Sequence, residues 1–468
     1  MKRFATLLAA GALLAAAAPA RAQTTTFLVG ATTVSVTPLT TNLAVPWELI
    51  WGPDNFIWMT ERGGRISRVN PTTGEVRPLL TVPDVTQTGE SGLLGMVLHP
   101  DFPATPYLYI VYNYTDGGVL KEKLVRYSFS VATNSLSAPL VLLGNITAAT
   151  THSGSRLLIL PDRTLLMTTG DAQLQSEAQN RGSLNGKVLR LNLDGSVPAN
   201  NPTPGSLVYT LGHRNPQGLV RATSGRVYSS EHGPNNDDEI NLIEAGRNYG
   251  WPNVEGLCNL PAEQTFCAAN NVREPLRVWT PTIATAGLAY YDSPAIPEWR
   301  NSLLMVTLKA AQLVQMPLNT AGDAIATDNG YLNTFGRLRS ICVSPQGKIY
   351  IGTSNRDGRA TPGATDDRIL LLENRAYLPA ATASASPTLR LSLWPNPAQG
   401  SVMLRLPVAA TAAGHTMVLD ALGRVVQTTP LAAGQKEQQL SLRDLAPGLY
   451  AVRAQTGSAT YTQQLVVR

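Results

Sequence analysis

The chain has 468 residues, 43% of them hydrophobic and 15% charged, proportions that fit a globular protein and exclude a disordered or low-complexity one. Its formal net charge of +5 arises from 37 basic and 32 acidic residues interspersed along the chain. No basic block stands out, so neither nucleic acid nor a lipid surface is an expected partner.

Residues 1–22 begin with Lys2 and Arg3, continue as an apolar run from Phe4 to Ala18 and end in Ala20-Arg21-Ala22, the small-x-small form that signal peptidase accepts. Cleavage before Gln23 and export are therefore expected. The run is too short to cross a bilayer and no later stretch reaches about 18 apolar residues, so no transmembrane segment is expected.

Between residues 40 and 375 one pattern returns six times: a short apolar strand, a turn with Gly, Asp or Asn, and a second strand. The copies lie at 55–70, 107–129, 164–195, 225–244, 302–318 and 347–373. Long stretches of helical period are absent, and Gly and Pro are spread through the connections. Sheets repeated at this spacing predict an all-β fold, a six-bladed β-propeller over residues 23–377, because radial closure disposes of exposed strand edges. A sandwich or barrel would seldom run past about 250 residues.

Cys258 and Cys267 flank a short loop and are expected to form a disulfide in an exported chain, whereas Cys342, in the apolar run SICVSP, is expected to be a buried free thiol. No Cys-x-x-Cys or paired-His spacing suggests zinc, and no Cys-x-x-Cys-His motif suggests haem. After an Ala/Ser/Pro-rich linker over 378–388, residues 389–468 alternate like the strands of a small antiparallel sandwich. Trp394, Tyr450 and Tyr461 are too few to suggest a sugar-binding platform there.

Three of five histidines, His152, His213 and His232, fall in polar, Gly-containing segments that join apolar strands, and such connections gather at the mouth of a propeller channel. His152 is the strongest base, with Asp171 of TTGD one hairpin later to orient its ring. Lys309 interrupts the apolar stretch LLMVTLKAAQLVQM, where an ammonium needs an acidic or carbonyl partner, which a ligand could supply. Arg337 and Arg339 stand two apart, so in a strand both guanidinium groups share one face suited to carboxylates or phosphates. The loop from Glu231 to Glu239 collects oxygen donors of the kind a hard cation takes.

In order, GESGLLGMVLHPDF, THSGSRLLILPD, TTGD, NGKVLRLNLDGSVPANNP, GHRNPQGL, SEHGPNNDDEINLIEAGRNYGWP, TLK and GRLRSICVSPQGKIYIGTSNRDGR resemble the glucose/sorbosone dehydrogenase family, over about residues 40–375. These are soluble quinoproteins, six-bladed propellers with pyrroloquinoline quinone and calcium. The resemblance implies that His152 is the general base that removes the proton from a sugar's anomeric hydroxyl, with Asp171 as its orienting carboxylate, before hydride moves to the quinone. Arg214 and Asn215 would hold the quinone's oxygen edge, Arg214 also serving catalysis, and Lys309, Arg337 and Arg339 would neutralise its carboxylates. Backbone carbonyls of Gly233 and Pro234 would ligate calcium. Glu90 and His232 fall at cofactor-contacting positions, Glu90 where Gln is common and His232 where some members carry Gln; Thr151 precedes the base where Asp or Asn is often found. A carboxylate at Glu90 would be repelled by an anionic quinone unless protonated or paired.

WPNPAQGSV, DALGRVV, LAPGLYAVRA and the final QQLVVR resemble the C-terminal sorting domain of type IX secretion substrates. This implies passage through the periplasm and across the outer membrane to a secreted or cell-surface location. The partners implied are a sugar substrate, a separate electron acceptor and the type IX machinery. Two rival functions are a ligand-binding propeller that has lost the cofactor and a metal-dependent propeller lactonase. The lactonase would need side-chain carboxylates or histidines converging on one metal, where this chain offers mainly cations.

Overall fold

The computed structural model describes residues 24–378, 391–420, 423–457 and 459–468. The expected signal peptide and residues 379–388 of the expected linker lie outside the described residues. The chain divides after residue 379 into two units.

Among its described residues the first unit holds six antiparallel sheets. Their first strands in the ring are Pro46–Trp51, Leu93–Leu98, Gly154–Ile159, Pro216–Arg221, Thr285–Tyr291 and Leu338–Val343. Each of these inner strands packs against the next, the sixth against the first, which closes the ring in the manner of a β-propeller. Five sheets have four strands, while the sixth has five because Thr25–Val29 and Thr32–Thr40 join Ile369–Glu373 at its edge. That closure by the N-terminal strands was not part of the repeat read from the sequence, which began at residue 40.

Every gap between neighbouring sheets is filled by its own apolar layer, so most strands are buried on both faces and read as continuous apolar runs. Successive side chains point to opposite faces. Leu165 and Met167 accordingly join Tyr109 and Leu124 of the second sheet, while Leu166 joins Leu219 and Val227 of the fourth. Leu303 and Met305 likewise face Tyr228 and Ile240, and Leu304 and Val306 face Ile341 and Ile351.

All six inner strands carry a register shift close to their start, as between Pro46 and Glu48, Gly154 and Leu157, or Leu338 and Ser340. Such bulges re-aim side chains at the end of a strand. Hydroxyls tie sheet to sheet at this level: Thr60 Oγ1 donates to Leu94 O at 2.7 Å, Ser230 Oγ to Ala286 O at 2.6 Å and Ser340 Oγ to Pro46 O at 2.9 Å.

Cys258 and Cys267 are joined, with Cα atoms 6.5 Å apart, and Cys342 is buried and free. The segment between the paired cysteines is not the plain loop expected: it contains the helix Pro261–Ala269, which carries Cys267. Its first turn is anchored by Glu263, which accepts the Leu260 N–H at 3.0 Å.

In the second unit the strand order is Val425–Leu431, Gly414–Leu419, Gly448–Thr456, Ala459–Val467, Ser392–Gln399, Ser401–Arg405 and Glu437–Ser441. Ser392–Gln399 joins two groups, pairing antiparallel with Ser401–Arg405 and through a single parallel bridge, Ala398 to Val467, with the last strand. Leu404 and Leu440 from one group and Val418, Val452 and Leu465 from the other share one core.

Candidate active site

A cavity of about 660 Å³ lies at the end of the ring where the inner strands begin. Its walls come from two kinds of place: the residues just before or at the start of each inner strand, such as Trp47, Ser153, Gln217 and Ala284, and, in the first, fourth, fifth and sixth sheets, those that follow the second strand, such as Arg62, His232, Lys309 and Asp357.

His152 precedes Ser153 and Gly154 on this wall and keeps 18% of its side chain exposed. Asp171 follows the second strand of the same sheet and is fully buried. The His152 Nδ1–H donates to Asp171 Oδ1 at 2.8 Å, since a carboxylate can only accept. Asp171 is held in turn by the Gln173 N–H on Oδ1 and the Trp251 Nε1–H on Oδ2, at 2.8 and 2.9 Å. With Nδ1 committed, Nε2 is the basic nitrogen, and it has no protein partner among the described residues. Gly170 explains the TTGD motif: a Cβ there would lie 1.9 Å from the His152 carbonyl oxygen, so only glycine lets the two segments meet. Thr151 Oγ1 accepts the Gln173 side-chain amide at 2.6 Å, which ties the segment before His152 to the one after Asp171.

Arg214 and Asn215 occupy the turn before the fourth inner strand. Glu231, which the sequence reading assigned only to a possible cation loop, organises this turn by accepting the Arg214 and Asn215 amides on Oε1. Its Oε2 accepts the His213 Nδ1–H at 2.8 Å, and His213 also meets the Thr210 hydroxyl at 2.8 Å. His213 is fully buried and thereby structural, not a site histidine. Asn215 accepts Gly154 N–H at 3.1 Å while its buried Nδ2 has no partner, and the Arg214 Nε is orphaned in the same way. Burial lowers the Arg214 pKa against the pull of Asp171 and Glu231.

The paired arginines share one side, as the spacing predicts, but they meet an internal carboxylate that the sequence reading missed. Asp357 Oδ2 accepts Arg337 Nε at 2.8 Å and lies 3.8 Å from Arg339. Burial works against it, yet the two guanidinium groups hold Asp357 below its ordinary range, while burial brings Arg339 down to about 10. Arg62, also unrecognised in the sequence, donates to the Asp357 carbonyl at 3.5 Å and leaves its buried Nε without a partner. The repeat register could have revealed it, because Arg62 follows its second strand as His232 and Lys309 nearly follow theirs.

Lys309 stands in the turn after Ser302–Thr307, exposed, and its Nζ donates to the Thr282 hydroxyl at 3.1 Å, with no carboxylate or carbonyl partner among the described residues. Glu90 is paired, its Oε1 lying 3.3 Å from the Arg359 guanidinium across the cavity mouth. Among the lining residues five cations (Arg62, Lys309, Arg337, Arg339 and Arg359) oppose two carboxylates (Glu90 and Asp357), an excess of three positive charges.

His232 donates from Nε2 to Thr285 O at 2.5 Å, and burial lowers its pKa although Asp238 and Glu90 oppose the shift. The acidic loop does not converge as a side-chain cage. Asp238 accepts the Gly233, Ile283 and Ala284 amides at 2.9, 2.8 and 2.6 Å, and Glu239 accepts Gly256 N–H and Asn241 Nδ2–H at 3.0 and 2.8 Å. No cluster of three or more His, Cys, Asp or Glu placed to hold a metal occurs among the described residues. The carbonyls of Gly233 and Pro234 accept no hydrogen bond within the described residues, which leaves two backbone oxygens available beside His232.

Beneath the cavity Arg156 and Glu48 form an ion pair, both less than one-tenth exposed. Arg156 lies 4.1 Å from the centre of the Trp47 ring and donates to Gln217 O at 2.6 Å, so it fastens two lining residues from behind. Burial raises Glu48 despite Arg156.

Residues 43–365 match the Glucose / Sorbosone dehydrogenase family, and residues 392–468 match the Secretion system C-terminal sorting domain. Quinoprotein glucose dehydrogenase B of Acinetobacter calcoaceticus is 43% identical over 398 residues, which cover 66% of this chain and 82% of that protein. Aldose sugar dehydrogenase YliI of Escherichia coli is 31% identical over 350 residues, 70% of this chain and 91% of that protein. Among solved structures, the PQQ-bound aldose sugar dehydrogenase of Streptomyces coelicolor aligns over 73% of this chain and 98% of its own, with a TM-score of 0.65 and 34% identity. A closed ring of sheets with a histidine–aspartate pair at the rim of a cationic cavity, together with a match over most of the first unit, leads to one statement: the chain belongs to the glucose/sorbosone dehydrogenase family.

Proposed function

We propose that this protein is an exported, six-bladed propeller that oxidises aldose sugars at the anomeric carbon to lactones, using pyrroloquinoline quinone and calcium. The observation that carries the reading is the His152–Asp171 pair, bonded at 2.8 Å beside a cavity with an excess of three positive charges. The residues present fit a tricarboxylated quinone: the orphaned donors of Asn215, Arg214 and Arg62 are buried and need acceptors. Arg62, Lys309, Arg337 and Arg339 would meet its carboxylates, Arg214 and Asn215 its oxygen edge, with Glu90 and His232 on the surrounding wall. Gly233 and Pro234 would offer their free carbonyls to calcium.

When bound, the quinone with its calcium ion supplies the hydride acceptor. Everything else falls to the chain. Asp171 fixes the tautomer of His152, so that Nε2 takes the proton of the anomeric hydroxyl as the C–H electrons leave. Loss of that proton and hydride from a cyclic aldose yields the lactone directly. Arg359 neutralises Glu90, which removes the repulsion that a free carboxylate would exert on an anionic cofactor. Electrons then pass to a separate carrier. The tail, matching a sorting domain, supports delivery by type IX secretion, and its two strand groups around one core are read as a small sandwich.

The test is dye reduction by the full chain with an aldose, with and without added quinone and calcium. Activity should require both, and His152→Ala should lose about 10²-fold or more in turnover while cofactor affinity is kept. No activity together with no cofactor binding by absorbance titration would replace this reading with a binding propeller.

A further inference from the structure

His152 stands in a backbone run that L-residues resist. The φ values are +62° at His152, +64° at Gly154 and +75° at Ser155, a left-handed region that costs of order 1 kcal/mol at a non-glycine residue and persists only when its surroundings hold it. The neighbouring inner strand is close: a Cβ at Gly95 would lie 1.8 Å from the Ser155 carbonyl oxygen, so the two backbones touch. The polar groups that hold the run come from the second sheet. Ser155 Oγ lies 2.9 Å from Glu122 Oε2 and 3.1 Å from the Ser153 carbonyl. Asn113 accepts Gly92 N–H at 3.1 Å and the Ser153 hydroxyl at 3.4 Å, and gives its own Nδ2–H to Glu122 Oε2 at 3.4 Å. Glu122, Asn113 and Ser155 are 2%, 0% and 0% exposed.

Counting protons assigns the form of Glu122. The Ser155 hydroxyl has one hydrogen and faces two oxygens. Both contacts are separate, two-centre hydrogen bonds only when Glu122 carries a proton on Oε2 and donates it to Ser155 Oγ, which then donates to Ser153 O; a carboxylate would leave them to share one hydrogen. Glu122 Oε1 is buried without a partner, a state that a neutral carboxyl tolerates far better than a carboxylate. We infer that Glu122 is a positioning residue whose neutral carboxylic acid holds, through Ser155 and Ser153, the left-handed turn that aligns His152 with Asp171.

The inference rests on the reading of His152 as the base. Burial pushes Glu122 up to about 8, in agreement with the proton count. Among the described residues no charged side chain opposes it. Lys121 and Lys123 of its own strand turn to Asp116 and Asp84, its cross-strand neighbours are Asn113 and Ile146, and the third sheet offers Ser153 and Ser155. Loss of the proton makes Ser155 point its only hydrogen at the carboxylate, and the Ser153 carbonyl loses its donor next to the base.

The experiment compares the full chain with Glu122→Gln, whose side-chain amide donates at every pH. Nitrogen-15 spectra of labelled histidine, only five in the sequence, report the His152 Nδ1–H without any need for turnover. In wild type this signal should shift or broaden between about pH 7 and pH 9, and in Glu122→Gln it should not. In parallel, kcat should fall about fivefold or more over that range in wild type and stay within about twofold in Glu122→Gln. Ser155→Ala should lower kcat about tenfold at every pH with KM and cofactor affinity unchanged. The same pH dependence of the His152 signal in wild type and Glu122→Gln overturns the inference, as does an unchanged kcat in Ser155→Ala. A wild-type chain inactive on every aldose would instead remove the enzymatic reading and leave the spectra to decide the role of Glu122.

Discussion

His152 and Asp171 were legible as a pair because both lie in short motifs one hairpin apart, and the hairpin itself brings them together. The cations were legible one by one, but their partners were not. Asp357 reaches Arg337 and Arg339 from a different connection, and Glu90 meets Arg359 across a separation of 269 residues. This internal anion has an effect of definite sign. Removing Arg337 and Arg339 together should raise the quinone's dissociation constant at least about tenfold, or 1.4 kcal/mol. Asp357→Ala should do the opposite, tightening the cofactor while lowering the melting temperature of the cofactor-free protein, because the buried Arg339 and the partly buried Arg337 guanidinium groups lose their shared counter-ion. Titration by absorbance and calorimetry separate the two effects, and equal loss of affinity in both variants would exclude an electrostatic role for Asp357. Glu122 adds a pH dependence of stability. Its folded-state pKa is raised by burial from 4.5 to about 8, so its contribution is whole below about pH 4.5 and is lost as pH rises through about 8. Thermal melts from about pH 6 to about pH 9 should therefore fall more steeply for wild type than for Glu122→Gln.

At the level of strands and sheets, the apolar runs predict strands correctly but hide which face goes where, since each strand serves two layers. Leu304 packs on the sixth sheet and Leu303, its neighbour, on the fourth. Either one changed to alanine should cost about 2–5 kcal/mol in a denaturant melt, because the strand is closed on both sides and the gap cannot collapse. A loss below about 1 kcal/mol would mean that the layers relax. The same repeat places chemistry in register: the start of each inner strand and, in the first, fourth, fifth and sixth sheets, the end of the second strand point at one cavity. Arg62 belongs to that register, directly after the strand Ile57–Glu61. Lys309 lies beyond its strand because the apolar run continues past the end of Ser302–Thr307 into the turn.

For the whole molecule, ring closure depends on residues at opposite ends of the first unit. Thr32–Thr40 pairs with Ile369–Glu373, joining the chain's beginning to the last sheet. Deleting residues 24–40 should leave Ile369–Glu373 as an unpaired edge and remove the cooperative melt of the propeller, measured by calorimetry; an unchanged melting temperature would show that the ring holds without it. The all-β class, the repeat, the disulfide pair, the pairing of His152 with Asp171 and the family are readable from the chain alone, because each depends on local pattern or on motifs in order. Tertiary structure alone decided which cations are free and which are neutralised, that Glu231 shapes the Arg214–Asn215 turn, and that Glu122 is kept uncharged. Those outcomes depend on distances between segments remote in the chain and on the dry setting they create together, and charge and burial at a distance leave no periodic trace in a sequence.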